Sequence, residues 1–194
     1  MIDLNGVRVG FVMTGSFCTF SEAFGAAKAL REAGASLVPV MSEHAAGTDT
    51  RFGTAQSHIR QLEEICGAPV IRSIPEAEPI GPKHLTDILV VAPCTGNTLA
   101  KLAGSITDTT ATMAVKSHLR TGNPVVLAVA TNDALAGSAK NIGQLLNLKH
   151  YRFVPFRQDQ PEGKPTSLVA DFARLPRTVA EALAGRQPQP LLLG

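Results

Sequence analysis

The chain has few aromatic residues and no run of charge of either sign. Of its 194 residues, 5% are aromatic and none is tryptophan, so the stacking platforms of proteins that bind single-stranded nucleic acid are not expected. The formal net charge is only +2 and the basic residues are scattered, which argues against DNA and against an anionic membrane surface. We therefore expect neither a nucleic-acid partner nor a membrane partner.

The chain also has few cysteines and no long apolar run. Cys18, Cys66 and Cys94 form no Cys-x-x-Cys pair, so we expect no bound metal and no disulfide framework. The first residues lack the basic and apolar regions of a secretory signal, and no apolar run reaches the length of a membrane span. These features predict a cytoplasmic protein.

Short apolar runs alternate with amphipathic segments along the chain, and Pro93 is expected to end the third run. Strands are predicted at residues 7–13, 37–41, 87–92, 125–130 and 152–154. Helices are predicted at residues 19–33, 52–66, 99–103, 110–119, 138–146 and from residue 167 onward. This alternation predicts a single domain over residues 1–194, with a three-layer α/β/α fold around a mostly parallel sheet.

Two helix boundaries have specific signals. Thr19 and Glu22 have the spacing of a capping box, which predicts that Thr19 caps the first helix. Ser167 is expected to cap the last helix, which Pro176 should kink or interrupt.

Small hydrogen-bonding residues follow three of the predicted strands. Because the carboxyl ends of parallel strands meet at one edge of a sheet, where ligands bind in open α/β folds, these residues are candidates for a phosphate site. Two simpler interpretations stay open, since the first group also suits a tight turn and Thr95 also suits a helix cap. The candidates are Thr14, Gly15, Ser16, Ser42, Thr95, Gly96, Asn97 and Thr98.

Residues 92–104, Ala-Pro-Cys-Thr-Gly-Asn-Thr-Leu-Ala-Lys-Leu-Ala-Gly, followed by Asp108, resemble the signature of the flavoprotein family. That family includes phosphopantothenoylcysteine decarboxylases, peptidyl-cysteine decarboxylases and flavin prenyltransferases. The resemblance implies a Rossmann-like fold, homo-oligomers built from trimers, and FMN as the cofactor. It also implies that the eight candidates above line the FMN site.

Further strings are similar to those of one branch of this family, the dipicolinate synthase B subunits of spore-forming bacteria. They include Thr-Arg-Phe-Gly at 50–53 and Val-Pro-Phe-Arg-Gln-Asp-Gln-Pro at 154–161. The resemblance implies action with a nucleotide-binding A subunit during sporulation. The reaction implied takes a lysine-pathway intermediate, dihydrodipicolinate or its hydrated precursor, to pyridine-2,6-dicarboxylate. FMN, or NAD(P) on the A subunit, would accept the electrons.

The chain departs from the decarboxylases of the family at two places. No histidine matches their catalytic histidine ahead of the third strand, and their Pro-Ala-Met-Asn loop reads Val-Ala-Thr-Asn at 129–132. Two alternatives to a catalytic synthase subunit remain: a non-catalytic structural partner of the A subunit, and a free-standing FMN-dependent decarboxylase. Of the histidines, only His44 is a candidate for the pocket. We expect the others to be surface or loop residues: His58, His84, His118 and His150.

A dicarboxylate substrate requires cationic side chains, and arginine pairs best with carboxylates. The cations in irregular segments are the candidates for substrate binding: Arg51, Lys83, Arg157 and Lys164. Asn132 and Asp133 follow the fourth long strand and are candidates for hydrogen bonding or proton transfer. Asp133 could equally cap the following helix. Cys94 is expected to be a small buried filler rather than a nucleophile.

Overall fold

A seven-stranded sheet runs through the protein, whose computed structural model describes residues 2–194. The strands are β1 Arg8–Met13, β2 Ser36–Met41, β3 Ile88–Cys94, β4 Val125–Thr131, β5 Tyr151–Phe153, β6 Phe156–Arg157 and β7 Leu168–Ala170. Their order is β2-β1-β3-β4-β7-β6, and β5 also pairs with β4. The pairs β1–β2, β1–β3, β3–β4 and β4–β5 are parallel, while β7 pairs antiparallel with β4 and β6. The mostly parallel sheet is confirmed.

Helices cover both faces of the sheet. They are α1 Phe20–Glu32, α2 Glu43–Gly47, α3 Ala55–Cys66, α4 Ile74–Ala77, α5 Gly96–Ala103, α6 Thr110–Leu119, α7 Ala139–Leu146 and α8 Leu175–Leu183. One buried core lies between the sheet and α1, α3 and α8, and a second lies between the sheet and α4 to α7. The three-layer α/β/α architecture is confirmed. Within residues 2–194, none of the helices has both the length and the apolar character needed to cross a membrane.

The central strands are apolar throughout because both of their faces are covered. In β1, Val9, Phe11 and Met13 face the core on the α1 side, whereas Val12 faces the core on the α5 side. Strand β3 is buried along its whole length and continues through Pro93 to Cys94, with a register shift against β4 after Val91. The expectation that Pro93 ends this strand is therefore wrong, whereas Cys94 is buried as expected.

The capping box expected at Thr19 does not form. Its hydroxyl donates to the backbone carbonyl of Ser16 at 2.9 Å, and its side chain makes no capping bond to α1. The reason is local: a 3-10 turn at Phe17–Thr19 precedes α1, so the chain enters the helix already turning.

The prediction of a helix from Ser167 is also wrong. Residues 168–170 form β7, which lies antiparallel beside Ala130 and Thr131 at the carboxyl end of β4. The last helix begins at Leu175, with Pro176 in its first turn rather than at a kink. Proline fits there because the first turn of a helix has no intrahelical partner for an amide hydrogen.

Two histidines expected at the surface are buried, and each has at least one ring nitrogen within hydrogen-bond distance of another group of the protein. His58 is 4% exposed among Phe20 and neighbouring phenylalanines, and its Nε2 lies 3.2 Å from the Phe52 carbonyl oxygen. His118 is completely buried, with Nδ1 2.8 Å from the Thr86 hydroxyl. His84 and His44 are exposed, and His150 is half-buried in a loop.

Candidate functional site

The carboxyl ends of β1, β2 and β3 form one continuous edge, and backbone hydrogen bonds hold the loops that follow them. The Ser42 amide donates to the Met13 carbonyl at 3.0 Å, and the Thr14 amide donates to the Pro93 carbonyl at 3.3 Å. The structure therefore brings the three groups of small polar residues expected at this edge into neighbouring positions.

Thr14 connects the loops after β1 and β3. Its hydroxyl donates to the Pro93 carbonyl at 2.8 Å and accepts from the Thr95 amide at 3.1 Å. The residue is only 1% exposed. Because these two bonds occupy the hydroxyl, the contribution of Thr14 to a binding site is to fix the relative position of the two loops.

Gly15 leaves its loop open to a ligand. A Cβ built on Gly15 would lie 3.6 Å from the His44 Cβ and 3.7 Å from the Phe17 ring, which are ordinary contacts. The fold therefore does not require glycine here. Among the described residues, the Gly15 amide has no backbone partner, while the Ser16 amide donates to the Thr14 carbonyl at 2.7 Å. The absence of a side chain at Gly15 matters for what approaches the backbone from outside.

Ser42 and Thr95 cap the helices that follow them. The Ser42 hydroxyl accepts from the Ala45 amide at 3.3 Å, and the Thr95 hydroxyl accepts from the Thr98 amide at 3.2 Å. The capping alternative considered for Thr95 is thus present in the structure. The start of α5, which has no acidic residue in its first turn, also presents unpaired amides and the positive end of the helix dipole, and these together favour an anion. Capping and ligand binding are therefore compatible at Thr95.

Gly96, in contrast, is required by packing. A Cβ at Gly96 would lie 2.7 Å from Asp133 Oδ1, 2.7 Å from Ser138 Oγ and 2.8 Å from Thr131 Oγ1. The Asp133 carboxylate accepts from the Thr131 hydroxyl at 2.6 Å and from the Ser138 hydroxyl at 2.9 Å. Asp133 therefore stabilises the turn before α7, and its role in proton transfer stays a prediction.

These loops surround a cavity of about 410 Å³, which we call the Ser42 cleft. It is lined by Thr14, Gly15, Ser42, Glu43, His44, Thr95, Asn97, Thr98, Lys101, Asp108 and Thr109. The cleft thus collects most of the predicted cofactor-binding residues in one place. Its volume lies in the range of small-molecule sites.

Charges in the Ser42 cleft are already partnered within the chain. The Lys101 ammonium lies 2.8 Å from Asp108 Oδ1 and holds the pKa of that carboxyl below its usual range. Glu43 accepts from the amide and the hydroxyl of Thr110 at 2.9 and 2.7 Å. The sequence analysis missed Glu43, although its position directly after Ser42 at a strand end was a usable signal.

A second cavity, of about 230 Å³, adjoins the first and is called the Asn132 cleft here. It is lined by Gly15, Ser16, Cys18, Thr19, Thr95, Ala130, Thr131, Asn132, Asp159, Lys164, Ser167, Leu168 and Val169. The Asn132 Oδ1 accepts a long bond from the Ser167 hydroxyl at 3.4 Å, and Lys164 Nζ lies 3.5 Å from Asp159. Gly15 and Thr95 line both clefts, so the two form a continuous depression around Gly15.

The four candidate substrate cations are not brought together. Lys164 lines the Asn132 cleft, whereas Arg157 lines a neighbouring groove between α1 and β7. Arg51 lies in the loop between α2 and α3, with its guanidinium 4.9 Å above the exposed ring of Phe52.

Lys83 lies at the opposite edge of the sheet. Its amide donates to the Pro79 carbonyl, and the carbonyl of the adjacent His84 accepts from Arg8, the first residue of β1. This edge is the amino end of the strands, and a seven-residue strand is about 20 Å long. Lys83 therefore lines neither the Ser42 cleft nor the Asn132 cleft, and it is not part of the candidate site.

The donor set of the Ser42 cleft fits a phosphate-bearing ligand. It combines capping hydroxyls, helix-start amides and one cation with a glycine whose backbone can be approached closely. The Asn132 cleft, reached across the same glycine, adds an amide side chain and a lysine. Together the two cavities suit a ligand with an anionic end and an extended body.

Comparison with known proteins agrees with this geometry. The family model described as Flavoprotein matches residues 2–173. The B subunit of dipicolinate synthase from Bacillus subtilis (strain 168) is 42% identical over 193 residues, covering 100% of this chain and 96% of the relative.

Solved structures also resemble this chain, and they include a dipicolinate synthase B subunit and an FMN-dependent decarboxylase. The crystal structure of the dipicolinate synthase B subunit from Bacillus halodurans C has a TM-score of 0.91 and 42% identity, covering 99% of this chain and 98% of that chain. The FMN-dependent cysteine decarboxylase SpaF has a TM-score of 0.69 at 23% identity, covering 92% of this chain and 98% of that chain, which shows the shared fold. This chain belongs to the flavoprotein family, and within that family it is similar over its full length to the B subunit of dipicolinate synthase.

Proposed function

We propose that this chain is the flavin-binding B subunit of a dipicolinate synthase. With an A subunit, it converts dihydrodipicolinate, or its hydrated precursor, to pyridine-2,6-dicarboxylate during sporulation. The full-length similarity to the B subunit of dipicolinate synthase supports the identity of the complex. The observation that carries the proposal for the site is the continuity of the Ser42 and Asn132 clefts across Gly15.

In this proposal the Ser42 cleft holds the phosphate of FMN. Gly15 and the start of α5 offer backbone amides, while the hydroxyls of Ser42 and Thr98 offer further donors. Lys101 supplies positive charge that Asp108 balances in the free protein. When bound, FMN supplies a two-electron acceptor. NAD(P) on the A subunit is the alternative electron acceptor.

The Asn132 cleft takes the dicarboxylate. The Lys164 ammonium pairs with one carboxylate after leaving Asp159, from which it is separated by a long 3.5 Å contact. The Asn132 amide is available to orient the ring because, among residues 2–194, its side chain makes a single hydrogen bond, to Ser167, which is 3.4 Å long. Arg157, on β6, lines the groove that shares Thr19 and Val169 with this cleft, and it is the candidate for the second carboxylate.

Assembly is part of the same proposal. Arg51 and Phe52 are both exposed at the carboxyl edge, in the loop that follows α2. We propose a homo-oligomer built from trimers, in which this loop faces another copy, and a cytoplasmic location. Light scattering at the concentration used in the activity assay tests the assembly, and a monomer would contradict it.

Ultraviolet detection of pyridine-2,6-dicarboxylate tests the activity. Enzymatically generated precursor is supplied to the A subunit alone, to this chain alone and to both, with FMN and NAD(P) added in turn. We expect product only, or far faster, with both subunits. Full product formation by the A subunit alone would contradict the proposal and leave at most a structural role. Decarboxylation of a cysteine substrate by this chain alone would favour the free-standing decarboxylase.

A further inference from the structure

A third cavity, of about 390 Å³, lies between α5 and α6 and reaches Tyr151 on β5; we call it the Tyr151 cavity. Its walls are largely apolar and include Leu102, Val115 and Leu119. Neither the proposed flavin site nor the dicarboxylate site uses it. Its volume is within the range of ligand sites, which are mainly apolar with a few placed polar groups.

Tyr151 places a polar group in this cavity. The residue is 7% exposed, and burial is the main cause that raises the pKa of its phenol to about 12. Its hydroxyl is not among the fully buried polar atoms that lack a partner within residues 2–194, so it is reached from the cavity. It can therefore donate a hydrogen bond to a ligand that accepts one.

The charged residues that line the Tyr151 cavity all have the same sign. They are Lys101, Lys116 and Arg120, and no carboxylate lines the cavity. Lys101 is paired with Asp108, but in residues 2–194 neither Lys116 nor Arg120 has a carboxylate within ion-pair distance. Lys116 and Arg120 are four residues apart at the end of α6, where like charges repel. The helix dipole favours cations at this end, but it does not account for the phenol in the same cavity.

We infer that the Tyr151 cavity is a second binding site, which takes a small carboxylate with an apolar body. The apolar walls hold the body, Lys116 and Arg120 pair with the carboxylate, and the Tyr151 hydroxyl donates a hydrogen bond. A carboxylate bound between the two cations of α6 would offset their mutual repulsion. This site adjoins the Ser42 cleft, with which it shares Lys101 and the loop between α5 and α6: residues 105–107 of that loop line the Tyr151 cavity, whereas Asp108 and Thr109 line the cleft.

Calorimetric titration with benzoate tests this site directly. Benzoate combines one carboxylate with an apolar ring, and its small size leads us to expect a Kd on the order of 1 mM. Benzamide has the same shape without the charge, and acetate has the charge without the ring. Both should bind at least about tenfold more weakly than benzoate, because each lacks one of the two interactions. The titration contains no flavin, so its failure and a failure of FMN binding are distinguishable.

Variants locate the binding. Arg120→Gln and Lys116→Gln should each weaken benzoate about tenfold, and Tyr151→Phe should weaken it severalfold, since each removes one hydrogen-bond donor. Lys140→Gln is the charge-matched control, because Lys140 is an exposed cation on α7 outside the cavity. Circular dichroism confirms that each variant folds. An absence of benzoate binding up to about 20 mM, or equal affinity in wild type, Arg120→Gln and Lys116→Gln, would overturn the inference.

Discussion

The two edges of the parallel sheet use polar residues in opposite ways. At the amino edge, Arg8 donates to Asp87 and to the His84 carbonyl, and this hydrogen bonding is the main cause that holds the pKa of Asp87 below its usual value. At the carboxyl edge, hydroxyls and amides line two clefts around Gly15. The amino edge therefore uses its polar groups to close the fold, whereas the carboxyl edge keeps some of them available to a ligand.

Two glycines, one near each edge of the sheet, differ in the same way: one is required by packing and the other leaves space for a ligand. A Cβ on Gly81, near the amino edge, would overlap the Ser117 backbone carbonyl oxygen at 1.9 Å, whereas a Cβ on Gly15 would make only ordinary contacts. Gly81 also donates its amide to the Ser117 hydroxyl at 2.8 Å. Substitution at the first position should therefore affect folding, and substitution at the second should affect binding.

The largest effect is expected for Gly81→Ala. The new methyl group must displace the backbone of α6, so we expect a loss of about 3 kcal/mol or more in the free energy of unfolding. Urea denaturation measures it. Gly25→Ala is the matched control, because a Cβ at this exposed position in α1 meets nothing within 4 Å. It should instead stabilise by about 0.5–1 kcal/mol. Equal stability of Gly81→Ala and wild type would show that the two edges do not differ as described.

The next effect concerns substrate binding at the carboxyl edge. Lys164→Gln should raise the KM for the dicarboxylate precursor by about ten- to a hundredfold, because it removes one charged hydrogen bond. Lys83→Gln removes the same charge at the amino edge and should leave KM unchanged. Steady-state kinetics of the assembled A and B subunits provides the comparison. A larger effect of Lys83→Gln than of Lys164→Gln would place the carboxylate site elsewhere.

A smaller, pH-dependent effect is expected at His118, which lies on the amino-edge side of α6. Burial lowers its pKa, and this outweighs the opposite influences of the Pro124 carbonyl and of Asp87. The folded protein therefore keeps His118 neutral while the unfolded chain takes up a proton below pH ~6.5. The contribution of neutral His118 to the free energy of unfolding is therefore fully present above that pH. It decreases as the pH falls further, by up to about 1.4 kcal/mol per pH unit.

Urea denaturation between pH 8 and pH 5 measures this dependence. His118→Gln should be less stable than wild type at pH 8, because it disturbs the bonds to Thr86 and Pro124. It should also lose less stability on acidification, because the titrating group is gone. Parallel pH profiles for wild type and His118→Gln would contradict the role of this histidine.

Local sequence patterns predicted the regular part of the fold well. Helix α6 at Thr110–Leu119 coincides with its prediction, and β4 at Val125–Thr131 exceeds its prediction by one residue. In these segments apolar spacing, caps and turn residues all agree. Strand β7 was missed because three residues carry too little pattern, and its pairing with β4 joins segments almost forty residues apart.

The sequence was enough to predict which loops form the candidate site, but not which individual side chains lie close to one another in it. Strand ends located Thr14, Ser42 and Thr95 because parallel strands align their carboxyl ends. The positions of Lys83 and Asp133 could not be obtained in this way. The position of Lys83 depends on which edge of the sheet its turn lies at. The position of Asp133 depends on its hydrogen bond with Ser138 and on the space left by the small Gly96.

Calorimetric titration with FMN tests most directly the claim that the carboxyl edge is the flavin site. Wild type should bind FMN, Gly15→Ala should bind it more weakly, and Gly15→Val should not bind it measurably. The reason is that a side chain at Gly15 fits the fold but prevents a ligand from approaching the backbone. Lys83→Gln should bind FMN like wild type. Unchanged FMN affinity in a folded Gly15→Val variant, or no FMN binding by the wild-type protein, would contradict the account.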